Sequence, residues 1–263
     1  EVLGWILQGQ SFLLNPARLQ IMILQVSIVG IIAIGVTQVI ITGGIDLSSG
    51  SVVGASAMIA MSFAQTSTYA RAVYPSLTDL PVIVPIAVGL ACGLIAGLIN
   101  GLLVAYTKIP SFIATLGMMV SARGVSNWYT KGQPVSFPTD SYAAIASGIR
   151  PVVIFIVIAI VFQIILRSPL YGPRTSAIGS NEHAARVSGI NVERHLVLVY
   201  TIAGLLSAVA AIVLSSRNLT AQAGMGFACA LDAIAMAVIG GTSLDGGRGS
   251  ITGTALGMLI FGV

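Results

Sequence analysis

The sequence predicts an all-α protein, a polytopic bundle of transmembrane helices with an internal repeat and helices broken within the membrane. Three observations carry this. Hydrophobic residues make up 56% of the 263 residues and charged residues 8%, against about 25% charged in soluble domains; mean hydropathy is +0.98. Charge-free runs reach the ~20 residues needed to cross a bilayer. A polar, glycine-rich segment, Ile41-Thr-Gly-Gly-Ile-Asp-Leu-Ser-Ser-Gly-Ser51, interrupts two such runs and has an echo at Ile239-Gly-Gly-Thr-Ser-Leu-Asp-Gly-Gly-Arg-Gly-Ser250. No soluble stretch separates the runs, so residues 1–263 read as a single membrane domain, expected to continue beyond both ends.

Residues 1–14 lack the basic start and small-residue cleavage site of a signal peptide and read as the end of a helix. Candidate spans follow at 19–41, 51–70, 82–107, 112–130, 152–166, 196–216, 229–239 and 250–263. Pro75, Asp79 and Pro81 make 71–81 a polar turn, and 108–110 is a very short one. Residues 131–151, with Gly132, Pro134, Pro138 and Asp140, form an irregular loop. The longest polar segment, 167–194, sets Arg167, Arg174, Arg186 and Arg194 against Glu182 and Glu193. Short basic loops stay in the cytoplasm. This places 167–194, 108–110 and both Gly-Gly breaks toward the inner side, and 71–81, 131–151 and 217–228 outside.

Gly89, Gly93, Gly97 and Gly101 recur every four residues, as do Gly249, Gly253 and Gly257, and the pair Gly50 and Gly54. Such spacing makes a flat helix face that another helix can approach closely in lipid. Cys92 and Cys229 lie in apolar runs and read as buried free thiols.

The two breaks align as Gly43-Gly44-Ile-Asp-Leu-Ser on Gly240-Gly241-Thr-Ser-Leu-Asp. After a two-residue insertion, Ser49–Gly54 then falls on Arg248–Gly253. Glycines release the backbone from helix geometry, and the freed amides and carbonyls need partners. Asp46, Ser48, Ser49 and Ser51 can cap a helix beginning near Gly50. Asp46 therefore either caps that helix or pairs with an arginine, or else it contacts substrate or gates a pathway. Asp245 has Arg248 as a nearby partner. In 167–194, Ser180 or Asn181 can cap a helix of about two turns, with Glu182 in its first turn and Gly189 at its end. That helix is too short to be stable alone in water, which points to a connector or a docking element.

Some chemistries are excluded. There is no basic stripe for nucleic acid and no phosphate-binding loop of the Gly-x-x-x-x-Gly-Lys-Ser/Thr type. His183 and His195 have no third ligand at a metal-site spacing. A protease built on Asp46 with Asp232 or Asp245 lacks the Gly-x-Gly-Asp signature. An ion-coupled secondary transporter or channel, with Asp46 or Asp232 as the buried acid, stays open as an alternative.

The Gly-Gly-Ile-Asp-Leu-Ser break, the Gly179-Ser-Asn-Glu-His-Ala-Ala-Arg-Val-Ser-Gly-Ile190 loop, and Leu231-Asp-Ala-Ile-Ala followed by Gly-Gly-Thr-Ser-Leu-x-Gly-Gly together resemble the sugar permeases of bacterial ATP-binding cassette importers, of ribose, arabinose, xylose and galactoside type. The resemblance runs from about Asn15 to the end, with Ser180 standing where the family has glycine. It implies a homodimer of permease subunits in the inner membrane, a cytoplasmic ATPase that binds ATP and Mg, and a periplasmic sugar-binding protein that delivers a monosaccharide. No cofactor is expected on this chain itself. The resemblance also implies that Asn181, Glu182, His183, Ala184, Ala185, Arg186, Ser188, Gly189 and Ile190 form the helix that couples to the ATPase, with Ala185 exposed for docking. Polar residues facing the bundle, Gln38, Asp46, Ser48, Asn100, Asn127 and Asp232, are the candidates for the sugar pathway.

Overall fold

A computed structural model describes residues 15–69 and 71–262. The helix end expected over 1–14 lies outside the described residues. Each apolar run carries a helix, that of 51–70 ending at Phe63. In chain order the helices are α1 (Pro16–Ile41), α2 (Ser49–Phe63), α3 (Ile83–Thr107) and α4 (Ser111–Thr130). A strand β1 (Val135–Ser136) precedes α5 (Asp140–Ala143) and a 3-10 turn (Ala144–Ala146). Then come α6 (Arg150–Arg167), α7 (Tyr171–Ser180), α8 (Glu182–Val187), α9 (Val192–Asn218), β2 (Thr220–Ala221), α10 (Cys229–Ile239) and α11 (Ile251–Gly262).

Among the described residues four helices, α1, α3, α6 and α9, are long and apolar enough to cross a membrane; α4, expected as a span, has 20 residues but is not one of them. Three of the expected spans are shorter. α2 has 15 residues, α10 has 11 and α11 has 12, which at 1.5 Å per residue gives about 16–23 Å against a ~30 Å hydrocarbon core. α2 and α10 are too short to span on their own, and irregular segments, 43–48 and 222–228, lead into them.

α1 and α9 form the centre. Fully buried Ile31, Ile32, Ile34 and Ile40 of α1 face a core that includes Leu206, Ala210 and Ala211 of α9. α3 packs along α9 through the predicted glycine face. A Cβ on Gly93 would meet the Gly204 carbonyl oxygen and lie 2.5 Å from Ala208 Cβ. One on Gly101 would lie 2.7 Å from Val197 Cα. The second glycine row seats α11 on α10, where a Cβ on Gly257 would strike the Met236 carbonyl. α6 stands outside, with Val157, Ile160 and Ile164 more than half exposed. Cys92 and Cys229 are free but half-exposed, so neither is the buried thiol expected. Both are partly buried, Cys229 packed against the main core.

The connections gather at two ends. At one, β1 and β2 pair antiparallel, Val135 with Ala221 and Ser136 with Thr220. Gln65 Nε2 donates to the Ser136 carbonyl at 2.9 Å, and the Ser67 amide donates to Asp79 at 3.1 Å. The Ser67 hydroxyl first, and then this amide, hold the Asp79 carboxyl below its ordinary value. At the other end, Ser111 Oγ accepts from the Ile45 amide at 3.1 Å, and the Gly247 amide donates to the Ile41 carbonyl at 2.8 Å. α7 and α8 lie here. The α3 and α4 helices end on Lys108 and Lys131, both left-handed with φ of 55° and 54°. Each charge sits at the negative end of a helix dipole.

Candidate functional site

Both helix breaks are the same piece of backbone geometry. After α1, the Gly43 amide bonds to the Ile40 carbonyl and the Gly44 amide reaches back to Val39. After α10, the Gly241 amide bonds to Val238 and the Thr242 amide to Ala237. Gly43 and Gly241 hold φ of 80° and 89°. This is the glycine-terminated helix end in which the last carbonyls are satisfied by the two residues that follow. Gly43 therefore matches Gly241, one position away from the sequence alignment. The following helices also shift. Ser48 O accepts from the Val52 amide as Ser250 O accepts from Thr254, so the second break carries four extra residues rather than two. They fold into the turn in which the Gly246 amide bonds to Ser243.

The first break does not stay at the surface. Asn100 donates to Ser48 Oγ at 2.8 Å and lies seven residues before the end of α3, about 10 Å of helix. Residues 43–48 thus run inward alongside α4, where Thr115 Oγ1 accepts from the Leu47 amide at 3.3 Å. Asp46 is buried in this segment at 3% exposure. Its carboxylate accepts from the Ser48 amide at 2.8 Å and from Ser48 Oγ at 2.6 Å. Among the described residues it forms no ion pair with an arginine; both bonds go to Ser48, in a local turn ahead of α2, whose first turn has no side-chain cap. Asp245 is exposed and forms no ion pair with Arg248 among the described residues.

The pathway candidates divide. Asp46, Ser48 and Asn100 form one buried chain of hydrogen bonds. Gln38 is fully buried elsewhere, its amide bonded to the Ile34 carbonyl and its Oε1 accepting from Tyr171 OH at 2.6 Å. Asn127 is exposed on α4. Asp232 is half-exposed in the first turn of α10.

The α8 helix forms where expected. Asn181, not Ser180, caps it, accepting from the Ala184 amide at 2.9 Å; Ser180 ends α7. Gly189 closes it with φ of 84°. Glu182, His183, Ala184, Arg186, Val187 and Ser188 are exposed, with Val187 at 77%. Ala185 is not. It is buried at 3%, packed with Ile178 and Val192, because a six-residue helix lying on the bundle must turn one residue inward. Arg186 bonds Glu182 at 2.8 Å and also Glu193, and this pairing raises its pKa further. A cavity of about 470 Å³ opens beside α8, bounded by Gly43, Gly44, Lys108, Ser111, His183 and Tyr200.

Two features were not anticipated. α7 is helical although its sequence is polar and holds Gly172 and Pro173. Proline is tolerated in a first helical turn, and Ser168 Oγ accepts from the Tyr171 amide there at 3.3 Å; Pro173 was the usable signal. The second feature is the segment 222–228. A Cβ on Gly54 would lie 2.6 Å from the Ala223 carbonyl, and one on Gly50 would strike Gly226. This irregular chain therefore runs along α2 as far as its first turn, yet Gln222, Gly224, Phe227 and Ala228 are exposed. Arg123 of α4 stands 5.1 Å from the Phe227 ring, and the two line a groove with Asn127.

Comparison with known proteins gives a consistent answer. The family model described as "Branched-chain amino acid transport system / permease component" matches residues 19–263. The chain is 40% identical over 256 residues to ribose import permease protein RbsC of Bacillus subtilis, covering 95% of this chain and 76% of that protein. It is 35% identical over 274 residues to galactose/methyl galactoside import permease protein MglC of Haemophilus influenzae, covering 100% and 82%. RbsC of Escherichia coli is 38% identical over 247 residues, covering 90% and 73%. No solved structure matches.

Proposed function

The chain belongs to the family of transport-system permease components, and from that premise we propose that it is the membrane-spanning subunit of an ATP-driven importer of a monosaccharide or related polyol. The family description speaks of branched-chain amino acids, whereas the relatives at 34–40% identity are named as ribose and galactoside permeases. Sugar follows from the relatives. A neutral polyol also suits a bundle whose described acids are few and, at Asp46, committed to a local turn with Ser48.

The observation that carries an ATP-driven mechanism is α8. It is capped at both ends, exposed along all but one position, and set beside the first helix break. A helix of six residues gains little from its own hydrogen bonds, so its exposed side suits a soluble partner. The partner is a separate ATPase chain that holds ATP and Mg. Lys108, Arg167, Arg174, Arg186, Arg194 and Arg248 at this end nearly balance Arg18, Arg71, Lys131, Arg150 and Arg217 toward the other. Orientation therefore rests on the clustering of arginines within 167–194, which puts α8 in the cytoplasm of a bacterium and the β1–β2 end toward the periplasm, where a sugar-binding protein delivers ligand.

The sugar route follows α4 and the segment 222–228. Irregular backbone at membrane depth persists only where protein covers it or water lines it. The exposed Gln222, Gly224 and Phe227, facing Arg123 and Asn127, meet that condition when a second copy of the permease closes the groove. Reconstitution with the ATPase and the sugar-binding protein tests the proposal. Uptake of labelled ribose or galactose should require ATP and vanish when the ATPase is omitted. Uptake driven by a proton or sodium gradient alone would replace this reading with ion coupling.

A further inference from the structure

We propose that α7 is the arm that carries the partner's motion from α8 to both helix breaks at once, with Gly179 and Tyr171 as its positioning residues; this rests on the ATP-driven reading above. The contacts converge at one point. Gly179, one turn before the start of α8, lies so close to the end of α1 that a Cβ there would fall on the Ile41 carbonyl oxygen and 2.5 Å from the Gly247 nitrogen. Ile41 O is the same atom that accepts from the Gly247 amide at 2.8 Å. A Cβ on Gly246 would lie 2.8 Å from Gly179 O and 3.0 Å from Gly43 Cα. The first break, the second break and α7 therefore touch backbone to backbone at Gly179, Ile41 and Gly246, with only the short Ser180 side chain beside them at Gly247.

The other end of α7 is tied as firmly. Tyr171 OH donates to Gln38 Oε1 of α1 at 2.6 Å, and Thr175 Oγ1 bonds His195 Nε2 of α9 at 2.8 Å. Ile178 of α7 packs on Ala185 of α8. A pull on α8 thus has a rigid element to act through, and that element ends on the residues that terminate α1 and border the α10–α11 turn. Packed elements shift between discrete arrangements rather than deforming smoothly.

The test uses the full chain assembled with its ATPase and sugar-binding protein in vesicles. Tyr171→Phe deletes one partner of the Tyr171–Gln38 hydrogen bond, Gln38→Met deletes the other together with the amide bond to the Ile34 carbonyl, and the double variant deletes both. The expected result is normal co-purification of the ATPase, ATP hydrolysis retained, and sugar moved per ATP lowered about fivefold or more, the lower edge of ordinary coupling between sites. The double variant should be no worse than Gln38→Met alone, which already lacks the shared bond. Gly179→Ala should show the same loss more strongly, and if it fails to assemble, the Tyr171–Gln38 cycle decides alone. Unchanged sugar moved per ATP in assembled Tyr171→Phe would overturn the proposal while leaving the importer reading intact. Ion-driven uptake in the unaltered complex would overturn both. A drop in assembly without any drop in sugar moved per ATP would assign α7 a structural role only.

Discussion

Asp46 shows how one buried carboxyl group is made tolerable. A charged group at membrane depth costs about 2.5–3.5 kcal/mol on insertion scales, so it persists where fixed donors face it. Here Ser48 supplies two donors, and its hydroxyl in turn accepts from Asn100. Ser48 is the hinge of this set, because its removal strips Asp46 of one donor and Asn100 of its acceptor. Asn100 Oδ1 is buried and unpartnered already, so the asparagine has no second bond to fall back on. Leaving buried groups unpaired costs about 1–3 kcal/mol. Ser48→Ala should lower thermal stability in detergent by that amount, while Ser48→Thr, which keeps the hydroxyl, should recover most of it. Equal melting temperatures for Ser48→Ala and the unaltered protein would show that the network contributes nothing net.

At the scale of elements, the apolar runs, the glycine rows and the α8 cap were legible because each has a local cause in spacing or capping. What was not legible depended on packing partners outside the element itself. Gly43-Gly44 and Gly240-Gly241 align as letters, but the helix end selects Gly43 and Gly241, since the residue with positive φ is set by where the preceding helix stops packing. The short lengths of α2 and α10 go with the segment 222–228 entering along α2, which nothing in that stretch announces. The inward face of α8 is set by Ile178 and Val192, eight or fewer residues to either side. That burial sharpens one test. Ala185→Glu should destabilise the protein by placing a charge against Ile178 and Val192, whereas Val187→Glu, on the outer face, should leave folding intact and reduce ATP-coupled uptake. A well-folded Ala185→Glu variant with reduced uptake would reverse this assignment of faces. At the opposite end, the loop holding Ser67 to Asp79 should respond to acid. The Asp79 pKa is lowered from 3.8, so its contribution is full above that value and is lost as the pH falls through the lower, folded-state value. Hydrogen exchange in 66–80 should rise in that window and become insensitive to pH there in Asp79→Asn; unchanged exchange in the unaltered protein would remove the role given to this contact.

The whole molecule presents two kinds of outer surface. α6 exposes Val153, Val157, Ile160 and Ile164 with no charge among them, a face that hydrocarbon can cover. α4 exposes Gly117, Ser121, Arg123, Gly124 and Asn127 on one side. Glycine and polar groups suit helix contacts within membranes far better than contact with lipid tails. An arginine there costs about 2.5–3.5 kcal/mol in lipid, more than the ~0.5–1 kcal/mol of an exposed cation–π contact such as Arg123 makes with Phe227. The imbalance is removed when a second copy or water covers α4. Gly117 and Gly124 have nothing within 4 Å of an added Cβ, so cysteine can be placed there without disturbing the chain. With Cys92 and Cys229 replaced by alanine, Gly124→Cys should join two copies through a short thiol cross-linker, and Val157→Cys on α6 should not. Cross-linking at Val157 with none at Gly117 or Gly124 would move the interface to α6 and leave the α4 groove without the cover that its arginine and irregular neighbour require.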